Sequence, residues 1–463
     1  MQMWFKTLLI LVFVSVLTSD FAFAQEKPVT KDTTKVYKSI ESFSVKRKFT
    51  KFVYQMLFRP VAKITSGKPV KKKVYKKLLQ KPYSTFEGKI IRNIKITTLD
   101  PFGNSIADTI FRRQNAITEG GNKIHIKSQR ITIRNLLLIR QNQAFDSLLV
   151  KESERLVRSS AFVTDVSFLV NLTARNSDSV DINIRELDSW SLIPGGGASP
   201  KSISVNVTEK NFLGFGHELK PQFTWNDAEG RYAYKVNYYI PNFKNTYINS
   251  NIQLGREESG NFVRSFAIDR PFFSSFARWA GGVDFVQQFR QDYIRGADSL
   301  LMLQRFRFNT QDYWIGNATR IFAGNTEYNR TTNFITAARF LRVRYFEKPV
   351  EEFDVQHYFA DENFYLGSIG ISARRYVQDK YIFKFGLTED VPVGEVYSFT
   401  GGYQVKNKQG RIYLGGRASS GHYFPWGYLS FNCEYGTFLN KSHTEQGVFT
   451  AGLNYLKMYR IRN

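Results

Sequence analysis

The sequence predicts an α+β domain followed by an antiparallel, all-β transmembrane barrel, in a chain exported from the cytoplasm. Three observations predict this. The first 24 residues form an export signal, residues 89–187 alternate between strand and helix periodicities, and the half that follows interleaves aromatics with charge at period two.

Residues 1–24 read as a signal peptide. Lys6 supplies the charged start, Leu8 to Leu17 the apolar run, and Ala22 and Ala24 the small residues before the cut, leaving Gln25 first. The run is short of the roughly 20 residues a spanning helix needs. No later stretch is long and uncharged enough to be such a helix. Cys433 is the chain's one cysteine, so disulfides do not staple this exported protein.

Residues 25–88 form a basic, partly helical segment expected in the periplasm. From Gln25 to Lys89 there are 18 Lys and Arg against Glu26, Asp32, Glu41 and Glu87, about +14 of a total of +25. Ile40, Phe43, Phe49, Phe52, Val53, Met56 and Leu57 recur near helical spacing, which predicts a helix from Ser39 to Arg59, stopped by Pro60. The densest charge is Lys71 to Lys81. Export argues against a nucleic-acid partner, leaving cell-wall polymer, anionic lipid or an acidic protein as expected contacts, or a solvated linker.

Residues 89–187 read as β-α-α-β-β. Ile90, Ile94 and Ile96 mark a first strand, closed by the turn sequence Asp100-Pro101-Phe102-Gly103. Ser128 is expected to cap a helix reaching Ile139, with Ile133, Leu136 and Leu137 inward. Leu149, Ser153, Leu156 and Val157 give a second helix. Val166, Phe168, Val170 and Leu172 alternate in one strand, and Val180, Ile182 and Ile184 in the next. This order makes a three-stranded sheet with helices on one face.

From residue 188 to 463 the helical period is gone. Aromatics make up 16% of the chain, with 41 Phe and 25 Tyr, yet mean hydropathy is −0.34. Ile203, Val205 and Val207 alternate with polar residues, as do Tyr232 to Ile240, Phe306 and Phe308, Phe383 to Leu387, and Leu429 to Tyr435. One face suits lipid and the other a polar lumen. A soluble sandwich also alternates, but would have to hide several Arg-rich strands against as many outward aromatics.

The ordered set of motifs resembles the BamA/TamA superfamily of outer-membrane assembly factors. The 89–187 pattern resembles its POTRA domain, with Ser147 to Val170 matching a second helix and second strand. Asp188-Ser189-Trp190-Ser191-Leu192 and the Gly-rich Gly195-Gly196-Gly197 are read as the joint to the barrel. Asn211-Phe212-Leu213-Gly214-Phe215-Gly216 resembles the barrel-entry motif, with Asn211, Gly214 and Gly216 as its marked positions. Tyr239-Ile240-Pro241 and Arg270-Pro271-Phe272-Phe273 resemble strand-end motifs. Two features depart from the pattern. Ile294-Arg295-Gly296-Ala297 is the nearest match to an Arg-Gly-aromatic loop tip, but Ala297 is not aromatic. The chain ends Tyr459-Arg460-Ile461-Arg462-Asn463 rather than on an aromatic strand. About 11 to 13 strands are traceable against about 16 in the superfamily, so the barrel is expected to lack its last strands.

The resemblance implies an outer-membrane protein with its small domain in the periplasm, an insertion factor for unfolded outer-membrane proteins. Outer-membrane lipid, those substrates and accessory assembly proteins are the implied partners. The sheet edges read as substrate-pairing are Ile90 to Thr97 or Ser179 to Leu187, including Ile94, Ile96, Ile182 and Ile184. The alternative is a secretion pore or passive channel, with Arg305, Arg307, Arg342, Arg344 and Lys384 lining the lumen. His125, His217, His357, His422 and His443 have no metal-ligand spacing, and no nucleophile elbow or phosphate loop occurs. No catalytic residue, metal or cofactor is expected, and the protein is read as not an enzyme.

Overall fold

The computed structural model describes residues 82–106, 116–226, 230–296, 299–380, 387–441 and 443–457. The signal peptide, the Ser39–Arg59 helix, the Lys71–Lys81 run, Phe383, Lys384 and the last six residues lie outside them.

The smaller part begins with a 3-10 turn, Tyr83–Phe86, whose Phe86 is already in the core. Strand β1 (Ile90–Leu99) leads through helices α1 (Ala116–Ile124), α2 (Arg130–Arg134) and α3 (Ser147–Arg158) to β2 (Val163–Leu172) and β3 (Ser179–Asp188). The sheet order is β1-β3-β2, with β1 parallel and β2 antiparallel to β3. Register stacks Ile94 on Ile182 and Ile96 on Ile184, while Phe168 and Val170 oppose Ile184 and Ile182 from the other side. These side chains share a core with Ile133, Leu137, Phe145, Val150 and Val157 of the helical layer. Burial of each such side chain contributes about 1.5–3 kcal/mol. Helix α3 is capped by Asp146, whose carboxylate accepts from the backbone N–H of Leu148 and Leu149 at 3.0 and 3.1 Å. Burial raises the Asp146 pKa, but Arg330 and those two amides together bring it below the usual carboxylate range.

The structure corrects three local expectations here. Helix α2 stops at Arg134 instead of Ile139, and Ser128 does not cap it, because its hydroxyl goes to Asp188. Helix α1 was not legible, since Gly120 and Gly121 hide it in a weak helix former. The domain also reaches past 187, because Asp188 is the last residue of β3 and fully buried.

The larger part is one antiparallel sheet of 14 strands in sequence order, from β4 (Leu192–Ala198) to β17 (His443–Lys457). That exceeds the 11 to 13 strands traced by pattern, because Gly-rich strands such as β4 and β15 (Gln409–Phe424) carry little periodic signal. Among the described residues β4 pairs only with β5 (Ser202–Phe212), and β17 only with β16 (Gly427–Asn440).

The sheet is curled. Laid flat, residues of β5 and β14 (Thr388–Lys406) would stand nine strand spacings apart, about 43 Å at ~4.8 Å each. Yet the small domain touches the turn after β5 and the start of β14. Ser275, between β9 (Phe262–Arg270) and β10 (Trp279–Arg295), also donates to the carbonyl of Arg374 on β13 (Glu362–Lys380) at 2.8 Å. The face carrying Tyr376 and Asp390 meets the small domain and is therefore the concave one.

The opposite, convex face is apolar and exposed. Register places Ile203 and Val205 beside Trp225 and Phe223, and those beside Tyr232 and Tyr234. Farther round, Ile369 lies beside Phe399, Ile371 beside Tyr397, Phe431 beside Leu453 and Tyr435 beside Phe449. All are exposed, Leu453 at 67%. The concave face carries Lys235, Arg290, Asp312, Arg339 and Arg417, with Arg339 paired to Asp312 at 2.9 Å.

Candidate functional site

The sequence motifs converge on one place, the seat where the small domain meets the turns at one end of the curled sheet. The turn between β5 and β6 (His217–Asn226) carries Asn211 to Gly216. Leu213, Gly214 and Gly216 all have positive φ (55°, 77° and 72°), and Asn211 fixes the turn by accepting the Gly216 N–H at 2.8 Å. Fully buried Asn211 also donates to Ser128 Oγ at 2.9 Å. The Gly214 carbonyl accepts from the Gln129 N–H at 2.9 Å and from Thr132 Oγ1 at 2.8 Å. A Cβ on Gly214 would stand 2.6 Å from the Lys127 carbonyl, and one on Gly216 would strike the Phe162 ring at 2.5 Å. Both glycines are thus required by φ and by close approach.

Behind this turn, the buried Asp188 carboxylate accepts from the Ser128 N–H at 2.9 Å and from its hydroxyl, and lies 2.9 Å from His125 Nε2. Trp190 packs its ring against Phe102 and His125, with centroids 5.6 and 6.3 Å apart. Next to Asp188, Glu186 is fully buried without a hydrogen-bond partner for either oxygen among the described residues. Burial, reinforced by the Asp188 charge, pushes its carboxyl up to about 10. This places Asp188 and Trp190 in the joint. Gly195, Gly196 and Gly197 are not there: they lie within β4, paired to Asn206, Val205 and Ser204, as part of the sheet's edge strand.

Helix α3 makes the rest of the seat. Arg158 pairs with Asp390 of β14 at 2.8 and 3.0 Å and with Glu154 of its own helix. Burial raises the Glu154 carboxyl, an effect that Arg158 and the Tyr83 hydroxyl partly offset. Arg155 pairs with Glu152 at 2.7 Å, donates to the Phe273 carbonyl at 3.0 Å and lies over the Tyr376 ring at 4.3 Å. Lys151 reaches Glu327 and Arg330 reaches Asp146, both at 2.7 Å. Asn242 donates to the Asn135 carbonyl at 2.6 Å and Tyr247 to that of Leu136 at 3.0 Å. The domain therefore holds the connections after β5, β7 (Arg231–Ile240), β9 and β11 (Leu301–Arg320), and the adjoining ends of β13 and β14. The arginines of α3 were missed because charge beside an apolar stripe usually means a solvated face. The spacing of Glu152 with Arg155 (i, i+3) and of Glu154 with Arg158 (i, i+4) was the available signal.

The pairing edges and the lumen arginines need correction. Strand β3 lies between β1 and β2, so Ser179 to Leu187, with Ile182 and Ile184, is the centre of its sheet and not an edge. Strand β1 is an edge, although residues 142–145 already cover its start through Ile91 and Lys89. Ile94 and Ile96 turn their side chains into the core. Arg305, Arg307, Arg342 and Arg344 share the register face of Phe285 and Tyr313, the convex one, while Phe306 and Phe308 point to the concave side. Phe306 is held there by Phe359, 5.1 Å away. Arg295 and Gly296 sit at the tip of the β10–β11 hairpin, where the Gly296 N–H donates to the Leu300 carbonyl at 2.9 Å.

Among solved structures, the chain is similar to BamA from Haemophilus ducreyi lacking POTRA domains 1–3, at 12% identity and TM-score 0.28. That match covers 79% of this chain and 85% of the other. It is also similar to CdiB from Acinetobacter baumannii (8%, TM-score 0.36, 81% and 68%) and CdiB from Escherichia coli (9%, TM-score 0.33, 92% of both). No protein-family description and no curated protein matches the chain. At these TM-scores the functional reading rests on the chain's own geometry.

Proposed function

We propose that the chain is an outer-membrane β-barrel of the BamA/TamA superfamily with a POTRA-like domain on its periplasmic end, acting as an assembly and insertion factor for other outer-membrane proteins. One observation carries this reading: a curled 14-stranded sheet exposes a continuous apolar convex face, and a small α+β domain is seated on the turns at one end. In water such a face far exceeds the few hundred Å² that soluble monomers expose. Against hydrocarbon it is what a spanning strand requires.

The role is mechanical. An unfolded substrate strand would pair by main-chain hydrogen bonds with a strand that has a free side among the described residues, in the small domain β1 beyond Ile94 or β2, and in the large sheet β4 or β17. Strand β4 suits exchange, because Gly195, Gly196 and Gly197 bring little cross-strand packing to hold their partner. Depletion of the protein should lower the amounts of other outer-membrane barrels. Unchanged amounts would remove the assembly reading.

The second reading, a secretion pore or passive channel, is favoured by the polar concave face with Lys235, Arg290 and Arg417. Against a standing channel, α3 ties the small domain to Phe273, Tyr376 and Asp390. Planar-bilayer conductance separates the two: large steady openings favour the pore, and their absence favours assembly.

A further inference from the structure

Resting on the membrane reading above, we propose that the convex face carries a binding site for a lipid headgroup bearing phosphate, at the end of the barrel away from the small domain. The site is the cleft of about 670 Å³ formed across β8 (Asn249–Arg256), β9, β10 and β11 by Arg256, Arg264, Arg305 and Arg307 around Phe262 and Phe289. Its position follows from register. Leu254, Phe266 and Phe285 belong to the apolar face; farther from the domain-bearing turns, Arg256 and Arg264 follow one step on and Phe289 two. Phe262 pairs with Arg256 and Phe289, and Phe289 with Arg307, so an arginine flanks the two adjacent rings on either side across neighbouring strands.

The charges are held open. All four arginines are exposed, and only Arg307 has a carboxylate partner among the described residues, Glu347 at 3.4 Å. Arg264 lies over the Phe262 ring at 5.0 Å and Arg305 over Phe289 at 5.5 Å, while those two rings stack at 5.8 Å. Planar contacts of this kind orient the guanidinium groups without neutralising them. Charged residues on a lipid-facing surface are costly at mid-membrane and nearly free at its border. Four arginines that border an apolar band therefore face headgroups, and a guanidinium fork matches phosphate oxygens bidentately. The rings and Leu254 would lie along the upper part of the acyl chains. Free phosphate would find the arginines but no use for that apolar floor.

The test uses the full chain in lipid nanodiscs. The probes are a diphosphorylated glucosamine-disaccharide lipid and its dephosphorylated form, with retention read by native mass spectrometry. The phosphorylated lipid should be retained at least about tenfold more tightly by the wild type. The triple substitution Arg256→Gln, Arg264→Gln and Arg305→Gln should abolish that preference, and the corresponding triple Lys variant should keep most of it. Substitution of the concave-face Lys235→Gln and Arg417→Gln should leave it unchanged. Equal retention of both lipids, or equal preference in the Gln triple variant, overturns the site. Extraction of the wild type from membranes by alkaline carbonate would instead remove the membrane reading, and this inference with it. Resistance to carbonate with an unaltered Gln triple variant removes this inference alone.

Discussion

The two parts of the molecule use the same alternation with opposite sense. In β3, Val180, Ile182 and Ile184 point into a core of 0% exposure, and Asp181, Asn183 and Arg185 point out of it. In β13, Ile369 and Ile371 point outward at 53% and 45% exposure, and Ser368, Gly370 and Ser372 point into the concavity. A water-soluble sheet and a lipid-embedded one thus cannot be told apart by period. The difference lies in which side is covered by the rest of the chain.

The largest expected effect is inside the small domain. Ile182→Asp puts an unpaired charge into a filled core and should cost more than about 4 kcal/mol. The domain should then be degraded in limited proteolysis while the barrel stays intact. Loss of the barrel as well would mean that the domain is needed for the sheet to form. Next comes Arg158→Ala, which strands Glu154 and Asp390 beside each other at the seat and should cost about 3–5 kcal/mol. Protease sensitivity at the joint should rise, and the domain should detach from the β13–β14 end. An unchanged cleavage pattern would show that the other seat contacts suffice.

Ile369→Arg sharpens the comparison directly. In a bilayer it should cost about 2–4 kcal/mol if the residue lies near mid-membrane, whereas on a water-facing sheet an exposed Ile→Arg change is worth within about 0.5 kcal/mol. Urea unfolding in liposomes, read by tryptophan fluorescence, distinguishes the two. A neutral result would break the claim that the convex face meets lipid.

Much of the small domain was legible, because its strands keep period two and α3 keeps an apolar stripe. The seat was legible in part. Asn211, Gly214 and Gly216 stood out as a motif, and the structure gives each a physical task. Their partners did not stand out. Ser128 read as a helix cap and Gly195 to Gly197 as a joint, since a hydroxyl before a helix and a glycine run have those local meanings most often. Which meaning applies is set by residues 60 or more positions away, Asp188 for Ser128 and the β5 turn for Gln129 and Thr132. The Arg-rich start of β11 failed for the same reason. Alternation showed two faces, but only the hairpin register with β10 and the packing of Phe359 decide that Phe306 turns in and Arg305 out.

The one effect opposite in sign concerns Glu186. Its folded pKa is raised, so the folded domain holds a proton that the unfolded chain releases above its ordinary value near 4.5. The stabilising contribution is therefore full below that value and is lost as pH rises toward about 10. Glu186→Gln keeps the shape, needs no proton and removes the repulsion with Asp188. Its stability should match the wild type near pH 4 and exceed it by several kcal/mol at pH 8, about 1.4 kcal/mol for each pH step above 4.5. Thermal unfolding across that range checks it. Two curves that stay parallel would mean that the buried carboxyl is ionised in the fold.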